Sequence, residues 1–211
     1  MSISRFSPGA ASLIAVAACT SLPRLETAWH VRSGAEIAAL HTQLAIARQQ
    51  SRSYLSGDAL PVGDDVRALV SNRSRAWWTE LTPVENFFLF EISPPTASRA
   101  PANIRAEAFC AGVQQVNSEW WSIPGSRHAE TTEHALASDT PITQCLVKLF
   151  DDKGELDYAD GESNINAEVL RWTVGDLAAG IVAISLGEKY DSRATPEERA
   201  ARRAELRAKV H

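Results

Sequence analysis

The sequence predicts a mainly helical single domain with one small β-hairpin, α+β being the alternative fold class. Three observations carry this. Apolar side chains recur at three- and four-residue spacing over several long segments, the stripe that a helix buries. A Thr-Pro pair opens such a segment three times, at Thr82-Pro83, Thr140-Pro141 and Thr195-Pro196. Proline suits the first helical position because the amide it lacks would have no partner there. The only good hairpin candidate is the alternation on both sides of Asp152-Lys153-Gly154, while Leu25 to Gly34 reads as a strand or an irregular segment.

Taken in order, the first predicted helix runs from Ala35 to about Tyr54, where Ile37, Leu40, Leu44 and Ala47 share one face. The Gly, Pro and Asp cluster "SGDALPVGDD" ends it. Asp64 or Asp65 then caps a second helix to about Glu80, carrying Val66, Leu69, Val70 and Trp77. Thr82-Pro83-Val84-Glu85 is a complete capping box, and it tips the ambiguous run "NFFLFEI" towards helix. The prolines of Ser93 to Pro101 break that helix. Another is predicted from Ala102 to Trp121, with Ile104, Phe109, Val113 and Val116 inward.

Residues 122–140 are polar and poorly patterned, which predicts a long surface loop with room for one helical turn. The hairpin follows within "CLVKLFDDKGELDYAD". Ser163 or Asn164 caps a last core helix from Ile165 to Leu186, and Gly187 is placed to end it. Its apolar stretch Leu177 to Leu186 is the nearest approach to a membrane span outside the N-terminus, but Arg171 and Asp176 on its approach make it a buried soluble helix. The tail from Thr195 has caps and ion-pair spacing with little apolar surface, which predicts a solvated or loosely docked helix.

With 45% hydrophobic and 22% charged residues over 211 positions, the chain has the composition of an ordinary globular protein. Its net charge of −5 argues against nucleic acid as a partner, because phosphate neutralisation needs a dominant basic face.

At the N-terminus, Arg5 is the only charge in the first nine residues, and Ala10 to Ala18 are all small or apolar. A charged leader, a short apolar run and small residues before a cleavage point describe a secretory signal peptide. The run is too short to span a bilayer. Val16-Ala17-Ala18-Cys19 resembles the lipobox of bacterial lipoproteins, and "CTSLP" is similar to the polar tether that follows their anchor. The resemblance implies cleavage before Cys19 and acylation of that residue, with several acyl chains giving durable anchoring. Thr20 stands where an aspartate would imply inner-membrane retention, so it implies the outer membrane, periplasmic face. The alternative is that residues 10–18 are a core segment of a cytosolic protein. The expected partition is a signal peptide over 1–18, a tether over 19–34, a helical domain over 35–190 and a polar helix over 191–211.

If Cys19 is acylated, Cys110 and Cys145 remain as a candidate disulfide, with small buried hydrophobes as the other reading. His128, Glu130, Glu133 and His134 form the densest candidate metal cluster, since imidazole and carboxylate commonly hold zinc. Their spacing fits neither the zincin motif nor its inverted form, and the deaminase-like "HAE" lacks a second downstream cysteine ligand. "DDKGELDYADGE" holds six acids in twelve residues without the ligand order of an EF-hand, and reads as a solvated rim. Among six tryptophans, the adjacent pairs Trp77-Trp78 and Trp120-Trp121 are the expected contact surface, because aromatics are enriched at binding hot spots. There is no Gly-x-Ser-x-Gly, phosphate loop or dinucleotide fingerprint.

The sequence therefore favours a non-enzymatic, protein-binding lipoprotein of accessory or immunity-like type, anchored through an N-terminal lipid and needing no cofactor. A hydrolase using His128, Glu130, Glu133 and His134, with or without zinc, is the alternative from a different class.

Overall fold

A computed structural model describes residues 38–46, 76–116, 118–127, 129–137, 141–156, 158 and 161–210. The expectations for the leader, the tether and most of the second helix fall outside these residues. The described chain belongs to one compact unit and holds nine helices: α1 (residues 38–46), α2 (Pro83–Ile92), α3 (Pro94–Ala97), α4 (Ala102–Gln115), α5 (Glu130–Leu136), α6 (Pro141–Val147), α7 (Gly161–Leu170), α8 (Val174–Ser185) and α9 (Pro196–Arg207). The mainly helical expectation holds. No helix among the described residues is long and apolar enough to cross a membrane.

α2 shows how local sequence fixes an element. Thr82 accepts from the Glu85 amide, and Glu85 returns a bond from the Thr82 amide at 2.9 Å, closing the capping box. Beyond the cap Val84, Phe87, Phe88, Leu89 and Phe90 are all buried, as expected of a helix apolar on every side. Phe87 is the hub, its ring lying 5.2 Å from Phe88, 6.0 Å from Phe109, 5.9 Å from Trp120 and 5.6 Å from Trp121. Gly112 on α4 permits this contact, because a Cβ there would sit 2.5 Å from the Phe87 ring. From α2 the packing passes to α4, then α6, α8 and α9. α1 buries Leu40 and Leu44 and places His41 Nδ1 2.5 Å from Glu85 Oε1. Burial pushes the Glu85 carboxyl up, but hydrogen bonds to His41 and Thr82 outweigh this and hold it below its usual range.

Six expectations are corrected. The hairpin does not form: Pro141 opens α6, and Ile142, Leu146 and Phe150 are buried at four-residue spacing, so the run that alternates also fits a helix. An isolated antiparallel bridge, Glu155 to Thr173, is all the pairing this region has among the described residues. The 102–121 helix stops at Gln115, where Val116 turns extended, and Ser118–Trp121 forms a separate 3-10 turn. The 122–140 loop contains α5, a helix of nearly two turns. Trp77–Thr79 is a 3-10 turn at the end of the second predicted helix.

Finally, the 165–186 helix is two helices. Arg171 adopts a left-handed conformation with φ of 52°, Trp172 is buried with its indole donating to the Ser192 carbonyl at 2.6 Å, and Thr173 starts α8 with a capping box to Asp176. Gly187 (φ 72°) follows the end of α8, as expected.

α9, expected to be solvated or loosely docked, is firmly docked. Arg199, 1% exposed, extends from α9 with Nε 3.2 Å from Asp176 Oδ2 and donates to the carbonyls of Ala194, Leu170 and Arg171. Arg203 and the Tyr190 hydroxyl both reach Asp176 Oδ1, and burial together with that carboxylate raises the Tyr190 phenol above its usual range. Truncating one member of a buried ion pair leaves the other charge uncompensated and costs about 3–5 kcal/mol. Arg199→Met is therefore expected to lower the urea midpoint by that equivalent. Arg202→Ala, which removes partly exposed pairs to Glu188 and Glu205, is expected to cost at most about 1 kcal/mol.

Candidate functional site

His134 and Glu91 form a titratable pair beside an apolar hollow. Glu91, next to last in α2, is the sole acid in an otherwise apolar run and has a side chain only 7% exposed. Such a carboxylate requires partners, and α5 supplies them. Thr131 Oγ1 donates to Glu91 Oε2 at 3.1 Å, and one turn further His134 brings Nδ1 to 3.4 Å from Glu91 Oε1. The opposite ring nitrogen of His134 lies 3.6 Å from Glu130 Oε1. The hydrogen bond to Glu91 raises the His134 pKa above 6.5; the charges of Glu91 and Glu130 add to this, against a smaller opposing effect of burial.

Beside His134 is a hollow of about 340 Å³ whose described lining is Phe90, Pro94, Ala97, Ser98, Arg105, Phe109, His134 and Ala137. Four helices meet here. α2 gives Phe90, α3 gives Pro94 and Ala97, α4 gives Arg105 and Phe109, and α5 gives His134. Arg105 is fixed by a 2.5 Å bond from Nη1 to the Ala100 carbonyl. Phe90 and Phe109 stand with ring centroids 6.5 Å apart and form an aromatic wall.

The residues singled out from sequence are distributed as follows. His128 lies outside the described residues. Glu130 and His134 share a helix face, but Glu133 is exposed and, as the immediate neighbour of His134, points about 100° away from it. Among the described residues no three metal-ligating side chains gather, so Glu130, Glu133 and His134 do not form the expected set, and His134 is engaged by Glu91 instead. Trp77, Trp120 and Trp121 are 1%, 3% and 1% exposed. They are core residues, leaving no indole area for a partner, and Phe87 and Phe88 of α2 pack against Trp120 and Trp121. Trp78 alone is half-buried, with the Arg99 guanidinium 5.8 Å from its ring centroid. Cys110 of α4 and Cys145 of α6 are joined as a disulfide, Cα to Cα 6.3 Å. Cys19 lies outside the described residues. In the acidic segment Asp151 pairs with Arg207 at 2.7 Å, and Asp152 accepts from Gln114 and from the Gly154 amide, so these acids hold turns and helix ends.

Sequence reasoning missed Glu91 and Arg105. Glu91 had a signal, a lone acid inside "NFFLFEI"; Arg105 had none. It also missed that α7 presents Ile165 and Val169 to solvent, 61% and 73% exposed. No known family model matches the chain, and no curated protein and no solved structure matches it.

The raised His134 pKa fixes a pH dependence. A histidine whose folded pKa exceeds its unfolded value adds stability that is fully present below about pH 6.5 and is lost as pH rises through the folded value. His134→Gln is expected to depress Tm relative to wild type more at about pH 6 than at about pH 9. Equal deficits in thermal melts at the two pH values would show that the charge contributes nothing.

Proposed function

We propose that this protein is an exported, non-enzymatic binding module, anchored by lipid at Cys19 on the periplasmic face of the outer membrane, that meets another protein through α7. The observation that carries the reading is the outer face of α7. Of its ten residues only Ala167 is buried, while Ile165 and Val169, one turn apart, are the two most exposed large hydrophobics among the described residues. Paired apolar positions at i and i+4 are the anchors with which a helix seats in a groove. Glu162 and Glu168 flank them and are also exposed, so the surface suits an apolar groove with a basic rim. The Cys110–Cys145 bond supports the exported part of the reading, because disulfides persist in oxidising compartments.

A photo-crosslinking residue in place of Val169 is expected to give one discrete protein adduct in the native host, absent when Ile165→Glu is added. The same residue in place of exposed Glu197 on α9 should give none. Equal adducts at both positions, or none at Val169, overturn the binding surface. Intact mass of the protein from its own membrane fraction tests anchoring separately. The expected species begins at an acylated Cys19 and lacks the two thiol hydrogens of the bonded pair. An unacylated chain retaining residues 1–18 overturns the anchor and leaves the α7 reading standing.

A further inference from the structure

We propose that the molecule met by α7 is a second copy of this chain, the two α7 helices lying antiparallel about a two-fold axis. The inference rests on α7 as the contact surface and names its partner. From its N-terminal end the helix carries Glu162, Ile165 and Val169, and Arg171 stands one residue past its end. All four are exposed, Ile165 at 61% and Val169 at 73%. Among the described residues neither the Glu162 carboxylate nor the Arg171 guanidinium has a hydrogen bond or ion pair. One end of this segment is therefore an open acid, the other an open cation, and the apolar pair lies between.

Such an order of groups is complementary to itself reversed. A two-fold axis at the level of residue 167 sets Ile165 of each copy against Val169 of the other. It also lays Glu162 of each beside Arg171 of the other, because 162 and 171, like 165 and 169, are spaced almost evenly about that point. A parallel pair would instead oppose Glu162 to Glu162 and Glu168 to Glu168, and facing like charges are unfavourable. In the antiparallel pair every favourable contact is made twice, as in the isologous dimers that are the commonest soluble oligomers.

The acids of α7 call for cations in a partner, and this chain holds two beside the helix. Lys153 and Arg171 border a hollow of about 490 Å³ to which α7 contributes Ala167 and Glu168. Lys153 is exposed as well, and among the described residues its ammonium has no hydrogen bond or ion pair. Two acids, Glu155 and Glu168, share the lining, so the fit is one of position and not of net charge. The floor of the hollow, Leu156 and Trp172, is only 6% and 3% exposed, which leaves Ile165 against Val169 as the apolar part of the contact. A helix of ten residues spans about 15 Å, so the interface is small and of the reversible class.

The test uses the purified full chain in detergent. Sedimentation equilibrium is expected to show a monomer and a dimer whose proportions follow concentration. With a photo-crosslinking residue in place of Val169, the adduct should have twice the chain mass and join position 169 to the segment around Ile165 of the second copy. Glu162→Arg and Arg171→Glu, both at exposed positions, should leave the circular dichroism spectrum unchanged and each weaken the dimer by about tenfold or more. Mixing these two variants restores opposite charges at both ends of the pair and should return the dimer as a one-to-one heterodimer, a rescue that a merely structural role of either residue does not give. A wild-type chain that stays monomeric at every concentration overturns the second copy as partner, and the Val169 adduct in the native host then decides the α7 surface separately. A dimer indifferent to both reversals, no rescue on mixing, or a crosslink from 169 to 169 overturns the antiparallel arrangement.

Discussion

A carboxylate removed from water stays ionised only where donors replace the solvent it has lost, and Asp176 is built into such a shell. Its oxygens face Arg199, Arg203, Tyr190 and the Thr173 hydroxyl and amide. The same residue is the third of α8 and so closes that helix's capping box. One side chain therefore starts the most deeply buried helix among the described residues and fastens α9 against it. Arg199 extends the effect by donating to the carbonyls of Leu170 and Arg171 at the break, which are among the orphan acceptors every helix end leaves behind. The acid in the approach to "LAAGIVAISL" thus anchors this part of the fold.

The N-terminal half is held differently. There the organising contact is the Phe87 ring, edge-on to Phe88, Phe109 and Trp120 and tilted against Trp121. Such aromatic clusters owe their strength to buried area and to ring geometry, and they need very close backbones. Gly112 supplies this on α4. On α8, Gly180 does the same, because a Cβ there would lie 2.3 Å from the Gly125 amide nitrogen. The adjacent pair Trp120-Trp121, which suggests a sticky surface in the sequence, is drawn inward by this cluster.

What could be read from sequence was what is local. The boxes at Thr82 and Thr195 act within four residues, and both stand where expected. Gly187 follows α8 for the same reason. The α7 to α8 break could not be read, because it depends on Trp172 reaching Ser192 and Arg199 reaching back some thirty positions. The hairpin expectation failed because 142, 146 and 150 satisfy a helix while the intervening residues mimic alternation. Of the hollow, His134 was named, though for a metal role. Phe90, Arg105 and Phe109 come from two other helices, and only tertiary packing brings them to it.

The covalent link between α4 and α6 has a topological consequence. With Cys110 and Cys145 bonded, the chain from Ala111 to Gln144 is a closed ring pinned at one point, and α5 lies within it. The wall of the hollow made by His134 and Ala137 therefore belongs to the ring, whereas Phe90, Pro94, Ala97, Ser98, Arg105 and Phe109 precede it. Both sides belong to one chain, but only one lies inside the loop that the disulfide closes, so the excursion open to α5 is bounded by that loop.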